Sequence, residues 1–178
     1  MRAKALGRLN ALVAETGGAT ALEFAMLAIP FVTMIFCLME LAIIFMISMT
    51  LDDAMVQASR EIRTGQLQNA GGSSQAAFAA KICSHMAWIQ STCNADLSVD
   101  VETYPSFAAA NPPNPVSGGV FSTASLKFVP GGPQDIVVVR AYFRWQLITP
   151  FLAQAVNKLN NGQAVLTATT TFRNEPYQ

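Results

Sequence analysis

The sequence predicts an α+β protein: a long N-terminal transmembrane helix followed by a small domain with an antiparallel sheet. Its 178 residues are 52% hydrophobic and 12% charged, against about 25% charged in soluble domains. Residues 24–51 form an apolar run of 28 positions whose only ionisable side chains are Glu40 and the thiol of Cys37. After this run the spacing of apolar residues is helical, and beyond residue 96 it changes to a period of two.

The apolar run is long enough to cross a membrane. A helix of 28 residues extends about 42 Å, beyond the ~30 Å of bilayer hydrocarbon. A secretory signal has a hydrophobic region of only about 7–15 residues and a small-residue cleavage site after it, and no such site follows here. The positive-inside rule puts the N-terminus in the cytoplasm and residues after about 52 outside. The flanking charges are Arg2, Lys4 and Arg8 before the run and Asp52 and Asp53 after it.

Helical spacing continues beyond the run. In "LDDAMVQASREIRTGQ" the apolar residues recur every three or four positions, and Gly65 is the expected end of the helix. We expect this apolar stripe to pack on the chain's own sheet, and packing on neighbouring subunits is the alternative. A second helix is predicted after a cap at Ser73 or Ser74, with one apolar stripe formed by Phe78, Ile82, Met86 and Ile89.

Three later stretches are predicted to form strands. In "LSVDVETY", from residue 97, apolar residues alternate with Ser98, Asp100 and Glu102, which predicts a strand with one face in water. Residues 105–119 form a proline-rich loop. The other two strands are "DIVVVRAYFRWQLI" and "AVLTATTTFR", and a short helix is expected after Pro150 between them.

The two cysteines outside the membrane run favour a disulfide. Cys83 and Cys93 lie ten residues apart, and in an oxidising compartment a bond between them would contribute roughly 2–3 kcal/mol. A metal site of Cys83, His85 and Cys93 is the alternative, but its spacing matches no recognised zinc site. Free thiols remain a third alternative. Cys37 is expected to be a small packing residue.

Enzyme activity is not expected. His85 is the only histidine, and neither a partner nor a pocket for a general base can be identified. No nucleophile elbow or phosphate-binding loop is visible. The net charge is zero and no basic stripe appears, so nucleic-acid binding is not expected either. The sequence therefore predicts an interaction protein without a cofactor, a metal or a small-molecule substrate.

The stretch "TGGATALEF" carries the functional motif. If Gly18 ends a short basic leader, Ala19 begins the mature chain, Glu23 is its fifth residue and Phe24 opens the apolar run. This arrangement resembles the class III signal of type IV pilins and pseudopilins. The resemblance implies that a prepilin peptidase cuts after Gly18 on the cytoplasmic face.

A narrower resemblance follows from four stretches: "TGGATALEFAMLAIPF", "LMELAIIF", "ASREIRTGQ" and the terminal "FRNEPY". Together they resemble the TadE-like minor pseudopilins of tight-adherence pili. The close match covers residues 16–68 and 171–177, while the middle of the chain agrees only in kind.

The resemblance implies a pilin-like organisation and a set of partners. The implied parts are a leader (1–18), a transmembrane helix (19–51), its periplasmic extension (52–68) and a periplasmic α+β domain (69–178). The implied partners are the prepilin peptidase, other pilins or minor pseudopilins, and lipids of the bacterial inner membrane.

Glu23 is expected to act in assembly. A carboxylate entering hydrocarbon costs roughly 2.5–3.5 kcal/mol and therefore needs a partner. The resemblance implies that it pairs with the α-amine that cleavage creates on Ala19 of a neighbouring subunit, so that each charge offsets the other's desolvation. The alternative is that Glu23 merely snorkels to the interface. Glu40, about 25 Å further along the helix, is interpreted as a second inter-subunit contact or as a protonated acid.

Three alternatives compete with a minor pseudopilin. An uncleaved single-pass anchor could scaffold a secretion or pilus complex from the periplasm. A membrane-tethered enzyme could use Cys83, His85 or Cys93. A major pilin is the third, but the resemblance implies much shorter chains for such subunits.

Overall fold

The computed structural model describes residues 17–70, 74–156 and 159–177. Helix α1 runs without interruption over Gly17–Arg63, with Pro30 inside it. The chain divides into two compact units whose boundary falls between Met39 and Glu40. The other α-helices are α2 (Gln66–Asn69), α3 (Gln75–His85), α4 (Gln90–Asp96) and α5 (Pro150–Val156). The strands are β1 (Leu97–Tyr104), β2 (Val116–Ser117), β3 (Val120–Phe121), β4 (Ile136–Gln146) and β5 (Gln163–Arg173).

The first unit contributes the exposed, apolar part of α1. No side chain from residue 20 to residue 39 is buried, and the exposed fractions include 74% for Leu27 and 59% for Phe36. A helix satisfies its own backbone hydrogen bonds, which lets such a segment lie in hydrocarbon. Pro30 lacks the N–H that would bond to the carbonyl of Met26, yet the helix continues through it.

The second unit is built on a three-stranded antiparallel sheet in the order β1-β4-β5. Central strand β4 places Val139 opposite Val101 of β1 and opposite Thr170 of β5. The apolar face of this sheet is covered by the second half of α1 and by α3. The predicted α+β class, with a long apolar helix and an antiparallel sheet, is confirmed.

The second half of α1 buries one stripe of side chains. These residues recur every three or four positions, so they lie on one face of the helix. At most 1% of each remains exposed, and the stripe consists of Ile47, Leu51, Ala54, Met55, Ala58 and Ile62. The prediction that this stripe packs on the chain's own sheet is confirmed.

The polar face predicted for β1 is not in water, so that prediction is wrong. The side chain of Asp100 is 1% exposed and lies 2.5 Å from the guanidinium of Arg140, which is itself 8% exposed. The loop between β1 and β4 covers this face: Arg140 donates to the carbonyl of Pro113 at 2.7 Å, and the N–H of Lys127 donates to Asp100 at 2.7 Å. The charges tolerate burial because each has a hydrogen-bonded partner.

The C-terminal "FRNEPY" segment closes the end of α1. The N–H of Glu175 donates to the carbonyl of Arg63 at 2.9 Å, and their side chains form an ion pair at 3.2 Å. Gly65, which follows the helix, has a φ of +75°, and a Cβ there would collide with the ring of Tyr177. The C-terminal segment is therefore packed against the end of α1 by a main-chain bond, an ion pair and a close contact with Gly65.

Candidate functional site

The predicted cleavage motif lies at the start of α1. Gly18 and Ala19 are helical, while the predicted leader, apart from Gly17 and Gly18, falls outside the described residues. Gly18 is exposed, and a Cβ added to it would meet no atom within 4 Å. Within the described part of the chain, therefore, neither packing nor backbone conformation requires glycine at position 18.

Glu23 lies one helical turn after Ala19, where residues four apart are neighbours on the helix surface. Its side chain is exposed, and no hydrogen bond or ion pair reaches it from the residues that the structure describes. The next residue, Phe24, is 73% exposed. A carboxylate without a partner among the described residues thus lies at the start of an exposed apolar segment, and such a charge is costly in hydrocarbon.

Glu40 lies on the same helix but is buried and hydrogen-bonded. It is 5% exposed, and its two carboxylate oxygens accept hydrogen bonds from main-chain N–H groups. Oε1 lies 2.6 Å from the nitrogen of Ile148, and Oε2 lies 2.8 Å from that of Thr149. These donors immediately precede α5, so the two bonds tie the start of that helix to α1.

The bonds of Glu40 bear on its predicted role. The sequence predicts a partner in another subunit, whereas the structure provides one in the same chain. The inter-subunit contact stays a prediction, and it would have to share or displace these two bonds. Pro150 signals a helix start in the sequence, but nothing there links it to a glutamate 108 residues away along the chain.

Cys83 and Cys93 are joined by a disulfide that connects the end of α3 to α4. Both are fully buried in the core beside α1, and their Cα atoms lie 5.5 Å apart. His85 is exposed and Cys37 carries a free thiol. In the described ranges, no group of three or more His, Cys, Asp or Glu side chains is arranged to hold a metal ion.

The motif at Gly18 and the apolar helix after it lie in a segment that matches a known family. Residues 18–60 match the family model of TadE-like proteins; the match begins at Gly18 and ends in the last turn of α1. It includes Glu23 and Glu40 and stops before the sheet. No curated protein and no solved structure matches the chain. The resemblance expected from the sequence is confirmed over this segment, which is similar to TadE-like proteins.

Proposed function

We propose that the protein is a minor pseudopilin that takes part in assembly of a tight-adherence type IV pilus. The observation that carries the proposal is Glu23, an exposed carboxylate without a partner in the described chain, five residues after Gly18. It stands where an exposed apolar helix begins. The protein acts by interaction and is a substrate of the prepilin peptidase, not itself an enzyme.

The first half of α1 is the membrane anchor. Thr20–Arg63 contains a stretch apolar enough to span a bilayer. The 22 residues from 18 to 39 extend roughly 33 Å, close to the ~30 Å of hydrocarbon. From Glu40 onward the helix contributes buried side chains to the folded unit. We therefore place the end of the span near Met39 instead of residue 51.

The domain lies in the periplasm and the N-terminus in the cytoplasm of the bacterial inner membrane. The basic residues before Gly18 and the aspartates at 52 and 53 support this orientation through the positive-inside rule. The disulfide between Cys83 and Cys93 supports it independently, because such bonds persist in oxidising compartments.

Cleavage after Gly18 supplies the partner of Glu23. The first turn of α1 must open to expose the peptide bond, and Gly17 and Gly18 make this easy because each favours the helix less than alanine by about 1 kcal/mol. The new α-amine on Ala19 lies about 6 Å along the axis from Glu23. Pairing that amine with Glu23 of an adjacent subunit compensates two charges in a low dielectric and fixes the axial offset between the helices.

The N-terminus of the protein from its native host tests this proposal. Intact mass and the terminal peptide should give a chain that begins at Ala19. Gly18→Val should leave the chain uncleaved, whereas the matched variant Gly17→Val should still be cleaved. Both variants introduce the same β-branched side chain into the same helical turn, so only recognition of the residue before the cut distinguishes them.

A wild-type chain that still begins near Met1 would contradict the proposal. The uncleaved single-pass anchor, scaffolding a secretion or pilus complex from the periplasm, would then be the better function. Glu23 would in that case be a boundary residue without an amine partner.

A further inference from the structure

We infer that the turn between β4 and α5, centred on Ile148, is a second membrane contact, inserted at the boundary between lipid headgroups and acyl chains. The inference rests on the proposed anchorage of α1 in a bilayer. It adds a lipid-binding element within the folded unit, about a hundred residues away along the chain from the proposed membrane span.

Glu40 fixes the position of this turn along α1. Its carboxylate holds the main-chain nitrogens of Ile148 and Thr149 at 2.6 and 2.8 Å. Glu40 directly follows Met39, the last residue of the exposed apolar segment. The turn is therefore bonded to α1 at the point where, with the span ending near Met39, the helix leaves the hydrocarbon.

Ile148 is exposed although the residues around it are held firmly. It is 78% exposed, the highest fraction among the large apolar side chains that the structure describes. Its neighbour Leu147 is 6% exposed, and Leu152 of α5 is 8% exposed. Both pack with Ile44 of α1 in one cluster, so the turn is anchored on either side and its isoleucine is directed out of the core.

The sequence around the turn suits lipid better than water. Residues 145–157, "WQLITPFLAQAVN", contain no Asp, Glu, Lys or Arg. Surface turns are normally polar, whereas an exposed isoleucine in an uncharged stretch can enter the headgroup and acyl boundary without burying a charge. A second copy of the chain could also cover Ile148, but lipid is favoured because the turn is fixed beside the proposed end of the span.

The experiment places an environment-sensitive NBD probe at single cysteines in the full-length protein. Cys37→Ala removes the free thiol, and labelling without reductant preserves the disulfide. Three variants are compared in phosphatidylcholine–phosphatidylglycerol vesicles that contain lipids spin-labelled at shallow or deep positions. They are Ile148→Cys in the turn, Val120→Cys on β3 (61% exposed) and Leu27→Cys in the proposed span (74% exposed).

The probe at position 148 should emit at shorter wavelength than the probe at 120 and be quenched most by the shallow spin label. Aqueous iodide should quench it roughly fivefold less than the probe at 120, because a side chain about 5–10 Å into the interface is shielded from water. The probe at 27 should respond to the deep spin label.

The outcomes separate the inference from the proposed function. If position 148 is quenched by iodide like position 120, while position 27 lies in lipid, the second contact is overturned and the anchor stands. If position 27 is also in water, the anchor itself fails. If shielding at 148 disappears in nanodiscs that hold a single protein, the turn contacts another copy of the chain and the lipid contact is again overturned.

Discussion

The two halves of α1 contain similar apolar residues but differ in what covers them. From residue 20 to residue 39 no side chain is buried, whereas from Glu40 onward a residue is buried every three or four positions. Mean composition cannot separate these halves, because leucine, isoleucine and methionine suit lipid and a protein core equally well. The second half is covered by its own sheet and α3, and the first half has no such cover among the residues that the structure describes.

The two glutamates of α1 also differ in whether the described chain provides a partner for the carboxylate. Glu40 has two main-chain donors within hydrogen-bonding distance, and Glu23 has no partner among the described residues. A carboxylate on an apolar helix is tolerated only when its charge is compensated. The compensation for Glu40 belongs to the fold, and the compensation proposed for Glu23 belongs to the assembly.

The largest expected effect on the free energy of unfolding comes from removing the carboxylate that compensates a buried charge in the folded unit. Asp100→Ala leaves Arg140, only 8% exposed, without its carboxylate, and breaking such a pair typically costs about 3–5 kcal/mol. Denaturant unfolding in mild detergent, followed by tryptophan fluorescence, measures it, since Trp88 and Trp145 both belong to this unit. Removing the exposed partner Glu175 of Arg63 is the control, with an effect within about 1 kcal/mol.

A pair of leucine variants tests the comparison of the two halves directly. Leu51, 1% exposed, and Leu38, 58% exposed, lie on the same helix and undergo the same truncation. Leu51→Ala should reduce the free energy of unfolding by about 3 kcal/mol because it leaves a cavity in the core. Leu38→Ala should change it by less than about 0.5 kcal/mol. Equal losses would mean that residues up to Met39 also belong to the folded unit.

The disulfide should contribute somewhat less to the free energy of unfolding than the side chain of Leu51. Replacing Cys83 and Cys93 together by alanine should lower the free energy of unfolding by roughly 2–3 kcal/mol, as expected for a short loop. The same fluorescence measurement applies. Cys37→Ala, in the first half of α1, should leave the value unchanged, and a similar loss from Cys37→Ala would contradict the division at Met39.

Much of the fold could be predicted because its periodicities are local. The period of two in residues 97–104 and the helical spacing up to Ile62 depend only on neighbours in sequence, and the structure contains β1 and α1 there. Gly65 as the end of the helix also followed from a local signal, its freedom to adopt positive φ.

The environment of charged residues could not be predicted in the same way. Asp100 alternates with valines as a solvent-facing residue would, but a loop that begins after Tyr104 folds back over it and bonds to Arg140. The partners of Glu40 lie 108 and 109 residues away. Such pairs depend on how the chain packs in three dimensions, which a pattern of residue types does not contain.

Two isosteric variants give the smallest and most discriminating effects. Glu40→Gln removes the charge and one of the two acceptors used by Ile148 and Thr149, so the unfolding free energy should fall by about 2 kcal/mol. Glu23→Gln should leave it unchanged, since no bond within the described chain is lost. It should instead abolish chemical cross-linking between Ala19 and neighbouring subunits in membranes of the native host.

The two measurements together separate folding from assembly. If Glu23→Gln destabilises the folded unit, its carboxylate acts within the chain and the proposed pairing with a neighbour is wrong. If Glu40→Gln preserves stability but removes cross-links, the second inter-subunit contact predicted from the sequence outweighs the bonds to Ile148 and Thr149. A loss of stability with cross-links intact would establish that one helix uses two glutamates for different purposes, one to hold its own domain and the other to hold the next subunit.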